Sequence, residues 1–304
     1  MNGTATPLVS VVIPTYNHAR YLGRALQSVL DQTYVNWEAI VIDNHSTDNT
    51  DEVMTSFADH RITYLKIHNN GVIAASRNAG IRAAKGEWIA FLDSDDWWTA
   101  DKLQACFDNI NDNVDLVYHD LKIVRDQPTF FKRRKIKTRQ VKKPVLMDML
   151  LNNNAIANSS AVVRKKLLDK IGGINEDAKM VASEDYNTWL RIAQITDGFI
   201  YIPRSLGYYL LHNQAVSQKN MSYAYKSAIL GFTDVLNGAQ RKVIESNIAY
   251  MSGRYNYLNK EYDSAFAILR QSLDGARSRI VLRAMFMLVL ILLKKQCNRP
   301  LCRK

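Results

Sequence analysis

Only three cysteines occur in 304 residues, Cys106, Cys297 and Cys302. The last two are separated by four residues with no second pair beside them, which makes a poor zinc site. Reduced thiols in the cytosol are the expectation. The start, Met1-Asn-Gly-Thr-Ala-Thr-Pro7, has no charged n-region and no apolar h-region, so no secretory signal is expected. The apolar run Ala284 to Leu293 would reach about 15 Å as a helix, half of a hydrocarbon core of about 30 Å, and cannot span it. The first β-branched stretch is not followed by Gly-x-Gly-x-x-Gly, and no Gly-x-x-x-x-Gly-Lys-Ser/Thr loop occurs, which excludes two common nucleotide-binding devices. What is present is an apolar fraction of 47%, enough for a real core, and a formal net charge of +11, which points to a polyanionic surface or substrate. The length suits one large domain plus a smaller appendage.

The first hundred residues alternate between two periodicities. Val9-Ser-Val-Val-Ile-Pro14, Trp37 to Ile42, Ile62 to Ile67 and Trp88 to Leu92 read as strands. Tyr21 to Gln32, Asp51 to Phe57 and Ile73 to Ala84 read as helices, the last closed by Gly86. Strands alternating with helices of this length predict βαβ units and a mainly parallel sheet.

Such sheets bind ligands outside the carboxyl ends of their strands. Polar side chains stand at those ends here: Thr15, Tyr16 and Asn17, then Asp43, then Asp93, Asp95 and Asp96. Two carboxylates one residue apart can share a hard cation such as Mg²⁺ or Mn²⁺. The plain alternative is an acidic loop in which Asp96 or Thr99 caps a helix starting near Asp101. Tyr16 could stack on a base and Asp43 could accept from a base N–H, although each alone is explained as a turn or cap residue.

Val-Ser-Val-Val-Ile-Pro-Thr-Tyr-Asn, Gln-Ser-Val-Leu-Asp-Gln-Thr-Tyr, Ile-Asp-Asn-His-Ser-Thr-Asp, Ser-Arg-Asn-Ala-Gly and Phe-Leu-Asp-Ser-Asp-Asp resemble, in order, the signatures of family 2 glycosyltransferases. These are inverting enzymes of the GT-A fold that use nucleotide-diphospho-sugars. The resemblance runs from about Val9 to Ser217. It implies that Pro14, Thr15, Tyr16, Asp43, Arg77, Asp93, Ser94 and His212 surround the nucleotide sugar. It also implies that Asp95, with Asp93 and His212, holds a divalent cation. His45 stands where a glycine is common, so that turn must tolerate a side chain.

Further along, eight cations lie between Lys132 and Lys143, a solvated loop or a contact for an anionic lipid or acidic acceptor. No nucleic-acid motif accompanies them. Ser183-Glu184-Asp185 opens an amphipathic helix, where acidic residues are favourable in any case. In the family this position, followed by Tyr-x-x-Trp-Leu-Arg, supplies the catalytic base. The match is Glu184 to Arg191, which assigns the base to Asp185 beside Glu184. Ile200 to Pro203 reads as a strand. Tyr208 to Ser217 resembles the family's closing segment, with His212 at the diphosphate or metal and Leu210 where an arginine is usual. Beyond Ser222, Ala249 to Tyr255 and Glu261 to Leu269 resemble one tetratricopeptide-like helix pair, which needs a neighbour to bury its face. Ala284 to Leu293 either packs on that pair or lies in a membrane interface.

The expectation is an α/β, GT-A-like catalytic domain over residues 1–220 and a small all-α extension over 221–304. It would move a sugar from a nucleotide-diphospho-sugar, a UDP-sugar by preference, to a hydroxyl of a cell-envelope glycan or lipid-linked glycan. It would work in the cytoplasm or on the cytoplasmic face of the inner membrane. Two alternatives are a nucleotidyltransferase on a similar sheet and a degenerate transferase scaffold acting only as a binding module. The first would want a glycine-rich basic loop after the first strand, which Thr15 to Arg20 is not. The second would show lost carboxylates, and none is lost.

Overall fold

The structure, a computed structural model, describes residues 6–125, 135–136, 138–212 and 220–297. It divides into two compact units, residues 1–215 and 216–304.

In the first unit, β1 (Val9–Thr15), α1 (Ala19–Leu30), β2 (Trp37–Asp43), α2 (Thr50–Ser56), β3 (Ile62–Lys66), α3 (Ile73–Ala83) and β4 (Trp88–Phe91) follow the alternation read in the sequence. After them come β5 (Trp97–Trp98), α4 (Lys102–Phe107), β6 (Leu116–Arg125), β7 (Lys135–Ile136), α5 (Val145–Asn152), β8 (Val162–Arg164), α6 (Lys165–Lys170), α7 (Glu184–Ala193) and β9 (Phe199–Leu211). The strands form one sheet in the order β3-β2-β1-β4-β8-β6-β9-β5, with β7 on β6.

β3, β2, β1 and β4 are parallel to one another, as βαβ crossovers require. Beyond β4 the sheet is mixed: β8 is antiparallel to β4 and β6, while β6 and β9 are parallel. β1 is buried at all seven positions because both faces are covered. On one face Leu22, Ala25, Leu26 and Val29 of α1 pack with Val9, Val11 and Ile13. On the other, α3 approaches so closely that a Cβ on Gly80 would lie 2.6 Å from Val12 and 2.7 Å from Ile42. This is where β-branched strands meet a helix with no room for a side chain. Gly86 has a different role from the helix cap expected of it. α3 is closed by Ala84, and Gly86 instead leaves space for Leu8 O and Ser10 N, each 2.7 Å from where its Cβ would be.

β9 runs straight through Pro203, which a shorter strand reading would stop at. Its register with β6 jumps between His119↔Ile202 and Asp120↔Ser205. A bulge there accommodates the residue that cannot donate to the ladder. The long strand therefore carries Leu210 and Leu211, and with them His212, back to the end of β4.

Of the cationic stretch 132–143, Lys132, Arg133, Arg134 and Lys137 lie outside the described residues, as does Ser217. Of its described members, Lys135 pairs with the buried Asp120 at 3.4 Å and Arg139 pairs with Asp148.

The second unit contains α8 (Ser222–Ile229), α9 (Gly238–Leu258), α10 (Tyr262–Gln271) and α11 (Ser278–Cys297). Asn237 and Gln240 close the start of α9 with a reciprocal capping box. Gly253 of α9 lets Leu269 of α10 approach to 2.8 Å from its Cβ position. The neighbour this pair needs is α11: Ala265 and Leu269 share a core with Ala284, Met287, Leu288 and Ile291. The apolar stretch 284–293 thus lies inside a twenty-residue helix, packed along one face. Among the described residues no helix is long and apolar enough to cross a membrane.

Candidate functional site

The carboxyl ends of β1, β2 and β4 converge with the start of α7 and the end of β9. At β1, Thr15 is buried and its hydroxyl lacks a protein partner, while Tyr16 is 53% exposed. A buried orphan hydroxyl beside an exposed aromatic ring suits a ligand that supplies an acceptor and a flat face. Asn17 adopts φ 51°, which asparagine tolerates well, and its side chain accepts from Thr47 N at 2.8 Å.

Asp43 is fully buried and its carboxylate is occupied from inside, by Ser46 N at 3.0 and 3.1 Å, Ser46 Oγ at 2.5 Å and Tyr64 OH at 2.9 Å. This network fixes the β2 turn. His45 takes φ 51° and stacks on His68 with ring centroids 3.8 Å apart, which shows how the turn accommodates a side chain in place of glycine.

The aspartates after β4 diverge. Asp93 Oδ1 accepts from Arg77 Nη2 at 2.7 Å and from Asn158 Nδ2 at 3.1 Å. Asp95 Oδ2 lies 3.0 Å from His212 Nε2. Asp96 is buried and accepts from Leu210 N at 3.0 Å. Burial, then the charges of Asp95 and Asp93, push its carboxyl well above the ordinary carboxylate range. Asp96 therefore caps nothing. It ties β9 to the acidic turn and brings His212 to Asp95. Nor does Thr99 cap α4 directly; its hydroxyl donates to Asp101 at 2.7 Å. Ser94 meets His18 Nδ1 at 2.8 Å, and the rings of His18, Tyr21 and His212 pack edge-on or tilted within 6.0 Å. Burial holds the His18 ring below its ordinary pKa, against the pull of Asp95.

Arg77 was expected beside the nucleoside. Its guanidinium is buried instead between two carboxylates, Asp93 and Glu184, the latter at 2.5 Å from Nη1. The two flanking anions keep it charged despite burial, since an isolated buried cation would be costly. The same contact turns Glu184 inward, to 5% exposure.

Asp185, next in sequence, points elsewhere. Oδ1 accepts from Tyr186 N at 2.6 Å and Oδ2 from Asn154 Nδ2 at 3.3 Å. Burial first, and the Glu184 charge second, raise its pKa to about 7, with Arg77 pulling the other way. A carboxylate half-protonated near neutrality is a competent base. Ser183 precedes α7 but makes no side-chain cap.

Among the described residues, no three metal-ligating side chains converge. The set Asp93, Asp95 and His212 is not preassembled, because Asp93 is held by Arg77. Asp95 and His212 remain as a two-ligand half-site. That fits a cation that takes one or two protein ligands and completes its shell with phosphate oxygens.

Four contributors escaped sequence reading: His18, Asn154, Asn158 and Arg24, whose Nη2 donates to Asp95 O at 3.3 Å. Asn154 had a local signal. It follows Asn152-Asn153, and Asn153 takes φ 67°, a left-handed turn that asparagine favours. The other three act through space and leave no local pattern.

Residues 10–172 match the family described as Glycosyl transferase family 2. The chain is 32% identical over 200 residues to the Escherichia coli UDP-Glc:alpha-D-GlcNAc-diphosphoundecaprenol beta-1,3-glucosyltransferase WfgD, covering 64% of this chain and 75% of that protein. In fold it resembles Staphylococcus aureus TarS, residues 1–349, in complex with UDP-GlcNAc, with TM-score 0.64, 15% identity, and 97% and 93% of the two chains covered. It also resembles the mannosyltransferase PcManGT from Pyrobaculum calidifontis in complex with GDP-Man and Mn²⁺, with TM-score 0.61, 20% identity, and 97% and 83% covered.

Proposed function

The chain belongs to glycosyltransferase family 2 and has the GT-A-like fold, and from that premise we propose that it transfers a sugar, with inversion, from a UDP-sugar to a hydroxyl of a lipid-linked cell-envelope glycan. The supporting observation is the Arg77 bridge. One guanidinium joins Asp93, at the end of the strand that would meet the donor, to Glu184, immediately before the candidate base. The two halves of a displacement are thereby held in one frame.

Thr15 and Tyr16 would hold the nucleoside beside Pro14 and the fixed Asp43 turn. Asp93 would meet the ribose, and Ser94 would stand at the donor against His18. Asp95 and His212 would hold a divalent cation, which when bound supplies positive charge for the leaving diphosphate. Asp185 takes the proton of the acceptor hydroxyl while that oxygen bonds to the anomeric carbon and the bond to the diphosphate breaks. A single displacement inverts the configuration. Glu184 acts through Arg77 as a positioning residue, and Arg77 is reassigned to the same task.

The donor and acceptor classes are suggested by the relatives: the E. coli enzyme is named for a UDP-sugar and an undecaprenol-linked acceptor, and the TarS structure holds UDP-GlcNAc. The test is incubation with a panel of nucleotide sugars, Mn²⁺ and a short lipid-linked acceptor. UDP release with formation of one anomer, opposite in configuration to the donor, supports the reading. Release of pyrophosphate, or retained configuration, contradicts it.

A further inference from the structure

The helix α11 is apolar on two faces, and only one is accounted for. Ala284, Met287, Leu288 and Ile291 are buried against α10. Leu282, Met285, Phe286, Val289, Leu292 and Leu293 lie on the opposite side, each 48–70% exposed. At 100° per residue these six fall within one continuous stripe. A stripe of this kind on a water-soluble surface costs free energy unless something covers it.

Charge indicates what covers it. Residues 216–304 hold fifteen Lys and Arg against five Asp and Glu, so this unit carries +10 of the chain's +11. After Asp274 no carboxylate occurs to the end of the sequence, while Arg277, Arg279, Arg283, Lys294, Lys295, Arg299, Arg303 and Lys304 do. Arg279 and Arg283 are exposed about the start of the stripe, one before Leu282 and one after it, and Lys294 is exposed at its end. A second copy docking helix to helix would bring cations against cations, since α11 itself carries no Asp or Glu. An anionic lipid surface matches both features, since apolar side chains enter the acyl boundary while flanking cations meet phosphate.

We propose that the outer face of α11 is an interfacial membrane anchor, lying in the plane of a bilayer that contains anionic phospholipid. It rests on the lipid-linked acceptor reading only for its purpose, because a protein whose acceptor is embedded gains by being held at the same surface.

The test is flotation of the full chain with vesicles of phosphatidylcholine, with and without phosphatidylglycerol, across salt concentrations. No sugar or acceptor is added, so the result is independent of the transferase assignment. Binding is expected only with the anionic lipid and should fall as salt rises. Phe286→Glu with Val289→Glu should weaken it by about tenfold or more. Arg279→Glu with Arg283→Glu should weaken binding to anionic vesicles at low salt. All four positions are exposed, so thermal unfolding and donor hydrolysis should match the unaltered chain. The proposal is overturned if the chain stays unbound at low salt, or if the Glu pair floats as well as the original. It is also overturned if light scattering shows a dimer that Phe286→Glu dissolves while flotation is absent; the face would then join copies of this chain.

Discussion

Arg77 and Glu184 are 107 positions apart in sequence and 2.5 Å apart in space. That contact, with its partner at Asp93, is the link between the α3 and α7 segments of the site. It also separates the adjacent carboxylates: Glu184 pairs with the guanidinium, whereas Asp185 accepts from Tyr186 N and Asn154 Nδ2.

Removing one side of this buried triad should be costly. Arg77→Met leaves the buried Glu184 and the half-buried Asp93 without their shared cation and should destabilise the fold by about 2–4 kcal/mol, less than for a fully buried pair. Glu184→Gln keeps a hydrogen-bond acceptor and should cost less, about 1–3 kcal/mol. Urea unfolding at neutral pH measures both. An Arg77→Met protein as stable as the original would show that the triad is not structural.

The half-site at Asp95 predicts a cation requirement. Asp95→Asn should remove Mn²⁺-dependent UDP binding in calorimetry while changing the unfolding free energy by no more than about 1.5 kcal/mol, the range of one side-chain hydrogen bond, here that with His212. His212→Ala should weaken the same binding. UDP binding by Asp95→Asn that still rises with Mn²⁺ and falls with chelator, as in the original chain, would place the cation elsewhere.

Much of this was legible from local pattern. β1, β2 and β4 are apolar runs ending abruptly in polar residues, and parallel strands of that kind put their ends where ligands bind. What was not legible depends on contacts across the sheet. Pro203 reads as a stop, yet a bulge carries β9 onward. Asp96 looks like a helix cap, yet it is the tether for Leu210. Arg77 reads as a nucleoside contact, but its burial between acids only appears once α7 is placed. The α11 segment is apolar all round, so periodicity could not say which face packs.

Asn154 carries only a turn signal in the sequence and offers a test of geometry alone. It donates to the ionised form of Asp185. Losing that donor disfavours the carboxylate, so Asn154→Ala should move the acid limb of the pH–rate profile upward. Turnover at pH 7 should fall modestly, with UDP affinity unchanged. A profile that does not move would make Asn154 a bystander.

The Asp185 pKa, raised to about 7, also has a stability consequence. The folded chain holds a proton there that the unfolded chain, with an ordinary carboxyl near 4, has lost, so this group's contribution falls as pH rises from about 4 to about 7. Asp185→Asn removes that loss and should be the more stable protein at pH 8, by at least about 1 kcal/mol. Equal unfolding midpoints at pH 8 would mean that Asp185 ionises without penalty.

The most direct measurement is the rate of sugar transfer by Asp185→Asn beside Glu184→Gln, with kcat/KM followed against pH. With Asp185 as the base, the original enzyme gains activity through a midpoint near 7. Asp185→Asn should lose about 10²- to 10⁴-fold in kcat while still binding UDP with Mn²⁺, and Glu184→Gln should lose less. Near-original turnover in Asp185→Asn, or a greater loss in Glu184→Gln, would contradict the assignment of the base.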